Sequence, residues 1–255
     1  MALTAKSLFL YGFTVDASNC NLDFRVVALE TPRQAVLKFG YYSLTGLLTE
    51  IVRAMTEKAP TFVFTATANR TFNNNTENRV TIATTGSHLE LLFASGPNNA
   101  SDLHALIGFA DTDQTGFTTY TGSLTTGTAV VNDFRTGFNF IGPDSMQKVF
   151  GSVNISANGD KEAIVFQLQE FFQVQFKYEP QSRLATDWKP LWRWLIQQRM
   201  VEFTPEITSP GIFYEATLET SSYESKGLGF QMKEMLPNFP QLWDTGLMIF
   251  RKKVA

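Results

Sequence analysis

The stretch KEAIVFQLQEFFQVQFKYEP, residues 161–180, alternates apolar and polar side chains for most of its length. Ile164, Phe166, Leu168, Phe172, Val174, Phe176 and Tyr178 share one face, and Gln167, Gln169, Gln173, Gln175 and Lys177 share the other. A period of two marks a strand with one buried and one wet face, which an antiparallel sheet permits. Glu170 interrupts the apolar face, so a bulge or bend is expected there. Asn158-Gly159 lies just before the stretch, and both residues tolerate positive φ. The chain from Val149 should therefore turn back on itself, forming a hairpin over 149–179. At 3.3 Å per residue such a strand would span roughly 50 Å. Its edges and apolar face are expected to meet a neighbouring subunit, with Phe166, Phe172, Val174 and Phe176 as the contacts.

Working toward the C-terminus, TDWKPLWRWLIQQRM predicts a helix over 187–200, capped by Thr186 or Asp187. Pro190 is tolerated in a first turn, where its missing N–H is not needed. Trp188, Leu191, Trp192 and Leu195 form the apolar stripe, and Trp194 lies off it as a candidate exposed contact. IFYEATLETSSYES and TGLMIFRKK read as strands. Gly142-Pro143 reads as a break before the hairpin.

Working toward the N-terminus, YYSLTGLLTEIVRAMTEKAP carries Leu44, Leu47, Leu48, Ile51 and Met55 at helical spacing. Ser43 is the expected N-cap and Pro60 the stop, giving a helix over 43–58. Upstream, two strands around a DASNCN turn predict an opening hairpin. Downstream, TFVFTATANRTF, RVTIATTG and LELLFASG are further strands, and NASDLHALIGF is a short helix broken at Gly108. The expected fold is mainly β with a few helices (α+β). Two antiparallel β-sandwich-like halves, 1–135 and 136–255, each carry one packed amphipathic helix.

Composition narrows the function. The chain has 255 residues, 44% hydrophobic and 18% charged, with 23 phenylalanines. A packed core is expected, and the aromatic load favours sheets. The net charge of −3 offers no basic footprint for nucleic acid. Arg251, Lys252 and Lys253 read as a solubilising end. A single cysteine, Cys20, excludes an internal disulfide and a C-x-x-C zinc site. No apolar run is long enough to span a membrane, and no secretion signal is read at the start.

No motif in the chain carries chemistry. Asp111, Asp113 and Thr115 could open a calcium loop, but the twelfth position is Gly122, which cannot ligate. A turn is the expected role, with Asp111 and Asp113 the weak candidates for a cation. His88 and His104 stand in no zinc or catalytic pattern. Phosphate-binding glycine motifs are absent. No catalytic residue, metal or cofactor is expected.

The order FGYYSLTGLLTEIVRAM, NRVTIATTGSHLELLFASG, ALIGFADTDQTG resembles a module of tailed-bacteriophage virion proteins. The later order FFQVQFKYEP, Trp-rich helix, EFTPE, FYEATLETS, KGLGFQMKEM is similar to tail or connector components of such phages. The resemblance implies a non-enzymatic structural subunit of the virion, assembled in the host cytoplasm. A tube, sheath, collar or completion protein of the tail is expected, forming a ring with its own copies beside other tail or portal-proximal proteins. Two alternatives stand beside it. One is a carbohydrate- or receptor-binding module presenting Trp194 or Tyr120. The other is a glycan hydrolase using two carboxylates roughly 5 to 9.5 Å apart.

Overall fold

The stripe beginning at Leu44 forms helix α1 (Leu44–Lys58), and Leu44, Leu47, Leu48, Ile51 and Met55 are all buried. Ser43 Oγ accepts the Gly46 N–H at 3.0 Å, the capping role its position predicts. At the other end the Ala59 N–H reaches the Met55 and Thr56 carbonyls, just before Pro60. The structure, a computed structural model, describes residues 6–10, 12–70, 79–123, 131–135, 140–155, 158–159, 161–204, 212–221, 224–225, 229–230, 233–234 and 242–253. Two compact units divide the chain. One is Leu8–Asn132 with Glu206–Phe213; the other is Met1–Ser7, Asp133–Pro205 and Tyr214–Ala255.

The opening hairpin does not form. Strand β1 (Lys6–Leu10) belongs to a seven-stranded sheet, whereas β2 (Phe13–Val15) pairs with β5 (Gly40–Tyr42). Gly12 separates them at φ 106°, a left-handed conformation that breaks the strand and redirects it. In the unit carrying α1, β3 (Asn21–Arg25) sits between β4 (Arg33–Val36) and β8 (Leu89–Leu91), with β9 (Gln114–Phe117) outside β8. A second, three-stranded sheet runs β10 (Thr119–Thr121), β7 (Val80–Thr84), β6 (Phe64–Ala68). Both sheets and α1 contribute to one core. Phe24 of β3 meets Phe64 of β6 edge to face at 5.6 Å, and Ile51 and Met55 of α1 are fully buried in the same cluster. Each such side chain contributes about 1.5–3 kcal/mol by leaving water. The short helix α2 (His104–Ile107) ends at Gly108, in the left-handed conformation that closes helices.

The seven-stranded sheet runs β11 (Val131–Arg135), β1, β15 (Val201–Thr204), β16 (Tyr214–Ser221), β21 (Met248–Lys252), β13 (Lys161–Phe176), β12 (Phe140–Ile155). Beside it, β14 (Glu179–Pro180), β20 (Leu242–Asp244) and β19 (Lys233–Glu234) make a small sheet, and β17 (Glu224–Ser225) pairs with β18 (Gly229–Phe230). The pairs β12–β13, β13–β21, β16–β21 and β6–β7 are antiparallel, and the mainly-β α+β class holds.

The second helix starts and stops earlier than its 187–200 pattern predicts. A helical turn α3 (Gln181–Arg183) runs into a widened π turn, Leu184–Trp188, and then into α4 (Lys189–Ile196). Neither Thr186 nor Asp187 caps it; the Asp187 carboxylate instead accepts from Arg183 at 2.8 Å. Pro190 explains the π turn. Its ring would press on the carbonyl four residues back, and a wider turn gives it room. Trp188, Leu191, Trp192 and Leu195 are buried as their spacing predicts.

Candidate functional site

Strands β12 and β13, each of 16 residues, pair from Phe140↔Phe176 out to Ile155↔Lys161. Gly142-Pro143 does not break the chain. It falls inside a register shift between Ile141 and Asp144, on an edge strand. A proline is tolerated there because no neighbour asks for its missing N–H. The bulge expected at Glu170 is elsewhere: Glu170 pairs in register with Gln147. The irregularity lies where Phe150↔Gln167 gives way to Gly151↔Val165, leaving Phe166 as the extra residue. One extra residue exchanges the faces of a strand. The apolar run of 161–180 therefore does not line one continuous face.

The inner and outer parts of this hairpin differ. Strand β21 pairs with β13 only over Phe171–Val174. Beyond Glu170, among the described residues, the ribbon has two strands and no third. β12 is also an edge of the sheet. Two of the ribbon's described apolar side chains are open to solvent: Leu168 of β13 is 48% exposed and Ile155 of β12 65%. A two-stranded ribbon is marginal alone in water, and an edge strand presents unpaired backbone groups.

Four of the five expected contact residues cannot serve a neighbour. Phe172, Val174 and Phe176 are fully buried within their own unit. Phe172 stacks on Phe203 and Phe250 at 5.0 and 5.1 Å, and Phe176 packs on Trp188 at 5.3 Å. Their face is taken because β13 is an interior strand at this level, with β21 beside it. Trp194 is also buried. Its Nε1–H donates to the Met200 carbonyl at 2.7 Å, and the Arg199 guanidinium lies 4.9 Å from the ring centre. The turn into β15 folds back over it. The side chain of Phe166 lies outside the described residues. Tyr120 is buried too, its hydroxyl donating to the Leu89 carbonyl at 2.8 Å, which removes it as a sugar platform. The C-terminal cations each meet a glutamate: Arg251 with Glu219 at 3.3 Å, Lys252 with Glu170 at 3.3 Å, Lys253 with Glu215 at 2.9 Å.

At the base of the hairpin, Glu179 is buried. Its Oε2 accepts from Trp188 Nε1 at 3.0 Å, with Arg183 Nη1 at 3.5 Å. Burial pushes its carboxyl above the ordinary value, against the pull of the Trp188 hydrogen bond and Arg183. The folded state thus holds this proton more tightly than the unfolded chain. The resulting stabilisation is complete below the ordinary glutamate range and is lost as pH rises through the folded value. Glu179→Gln keeps an acceptor for Trp188 and never ionises. Its stability relative to the parent should therefore grow between pH 4 and pH 7 in urea melts; a gap that stays constant would count against the assignment.

The corner of the other unit gathers the remaining candidates. Asp111 and Asp113 do not share a loop site. Asp113 Oδ1 accepts the Ala94 and Ser95 N–H groups at 2.9 and 3.0 Å, which ties down the turn after β8. Asp111 instead lies near Asp102 and His104, and one ligating atom from each of the three falls within 4.8 Å of the others. Asp102 is buried, and His104 is partly exposed. Asp102 Oδ1 accepts the His104 N–H at 3.2 Å and also meets His104 Nδ1. Its Oδ2 is buried without a partner. Burial raises the Asp102 carboxyl above its ordinary value, opposed chiefly by the hydrogen bond to His104. His88, the other imidazole, lies 3.2 Å from Glu90. Sequence spacing did not reveal the trio, because Asp-x-His followed seven residues later by Asp belongs to no recurring ligand pattern. Helix α2 and the turn at Gly108 bring it together. The chain matches no family model, and no curated protein matches it.

Proposed function

We propose that this chain is a non-enzymatic structural subunit of a tailed-phage virion, a tail component that forms a ring with its own copies. The observation that carries the reading is the outer β12–β13 ribbon, two strands wide with an open edge and exposed Ile155 and Leu168. Strand addition from a second copy would satisfy that edge and cover those side chains. The phage assignment rests on the sequence pattern around LLFASG, ALIGF and FYEATLETS. The same pattern supports other tail or portal-proximal proteins as neighbours.

Light scattering after size exclusion, with negative-stain images of the peak, tests this. A ring or stable multimer is expected from the parent chain, and smaller species from Leu168→Asp and Ile155→Asp. Both positions are exposed, so both variants should fold. A parent protein that stays monomeric at every concentration and ignores other virion proteins would sink the proposal.

A further inference from the structure

We infer that Asp102, His104 and Asp111 bind one divalent transition-metal cation of the zinc class. The inference is independent of the ribbon and goes beyond the assembly reading. Three donors converge within 4.8 Å of one another: one imidazole nitrogen and two carboxylate oxygens. Acidic groups often gather on surfaces without a cation, so proximity alone decides nothing. The second observation is Asp102 itself. Its side chain is 2% exposed, and its Oδ2 is buried with no hydrogen-bond partner.

Contacts with His104 account for only half of this carboxylate. Oδ1 receives the His104 N–H at 3.2 Å and also meets His104 Nδ1. That leaves Oδ2, and an unsatisfied buried oxygen costs about 1–3 kcal/mol, more if charged. A cation held between Asp102, His104 and Asp111 would remove that cost.

The donor set selects the ion. Imidazole with carboxylate suits zinc and its first-row neighbours. Calcium takes six to eight oxygens and gains little from a nitrogen. Donors about 2.0–2.2 Å from a tetrahedral ion lie roughly 3.3–3.6 Å apart, so the trio must close slightly. Asp111 is exposed, and rotation of its side chain can close the gap. Three protein donors leave a fourth position for water. The bound ion would clasp the start of β9's approach to the start of α2, on either side of the Gly108 turn. It should therefore stabilise this unit by binding the folded chain alone.

The test titrates Zn²⁺ into the full-length protein by calorimetry and follows thermal unfolding in a non-chelating buffer. One saturable site and a rise in Tm are expected. His104→Gln and Asp111→Asn should each weaken binding by about tenfold or more, with circular dichroism confirming that both remain folded. His88→Gln should bind like the parent. Absence of saturable binding, binding that survives in both site variants, or a preference for Ca²⁺ would each overturn the inference.

Discussion

Phe172→Ala is expected to cost about 3–5 kcal/mol of folding stability, whereas Leu168→Ala should stay within about 0.5 kcal/mol. The two residues are four apart on one strand and carry the same alternation. Phe172 is fully buried between Phe203 and Phe250, with Tyr214 a further 5.8 Å neighbour, whereas Leu168 is 48% exposed. Truncating Phe172 opens a cavity in the centre of a four-ring stack drawn from β13, β15, β16 and β21. Those strands hold the ring walls in place, so the cavity cannot collapse fully. Chemical denaturation of the two variants measures the difference. Equal and small losses would mean that this face of β13 is not interior. Under the proposed assembly the same pair separates folding from association, since Leu168 variants should alter ring formation and leave the melt of the dissociated chain nearly unchanged.

Asp23→Ala should cost about 3–6 kcal/mol, because it removes two hydrogen bonds to a carboxylate, each contributing about 1.5–3 kcal/mol, and strands a backbone donor. Asp23 is 1% exposed. Its Oδ2 accepts the Asn98 N–H at 2.7 Å and its Oδ1 accepts Asn98 Nδ2 at 3.0 Å. These bonds seat the GPNN turn against β3. Gly96 belongs to the same device. A Cβ there would come within 2.4 Å of the Leu92 carbonyl and 2.6 Å of Asp23 Oδ2. Asp23→Asn should lose less than Asp23→Ala, because it keeps an acceptor for the Asn98 N–H. Urea melts that rank the alanine variant equal to the parent would contradict the assignment.

Local signals in the sequence were legible. The α1 stripe and its Ser43 cap depend on contacts three and four residues apart, so spacing alone reveals them. Asn158-Gly159 marks its hairpin for the same reason, and Gly159 has φ 84°. Non-local choices were hidden. Alternation announces a two-faced strand, but not how far along it a third strand lies beside it. For β13 that limit falls near Phe171, and it reverses the meaning of Phe172, Val174 and Phe176. Pro143 reads as a break until its strand is known to be an edge. Trp194 reads as exposed until the Arg199–Met200 turn closes over it. Of the corner trio, Asp111 was visible as turn chemistry and as a weak cation candidate, but paired with Asp113 rather than with Asp102 and His104. His104 and Asp102 have no meaning as a pair until α2 sets their orientation.

The position of β1 bears on how the chain is made. This strand ends at Leu10, yet its sheet neighbour β15 begins at Val201. At 5–20 residues per second, the intervening chain takes about 10–40 s to synthesise. During that interval the strand lacks one of its two sheet neighbours; the other, β11, is made once the chain reaches Arg135. The sheet can therefore close on both sides of β1 only once β15 has been made. Deleting Lys6–Leu10 should leave the unit around α1 able to form while the seven-stranded sheet loses the strand that joins β11 to it.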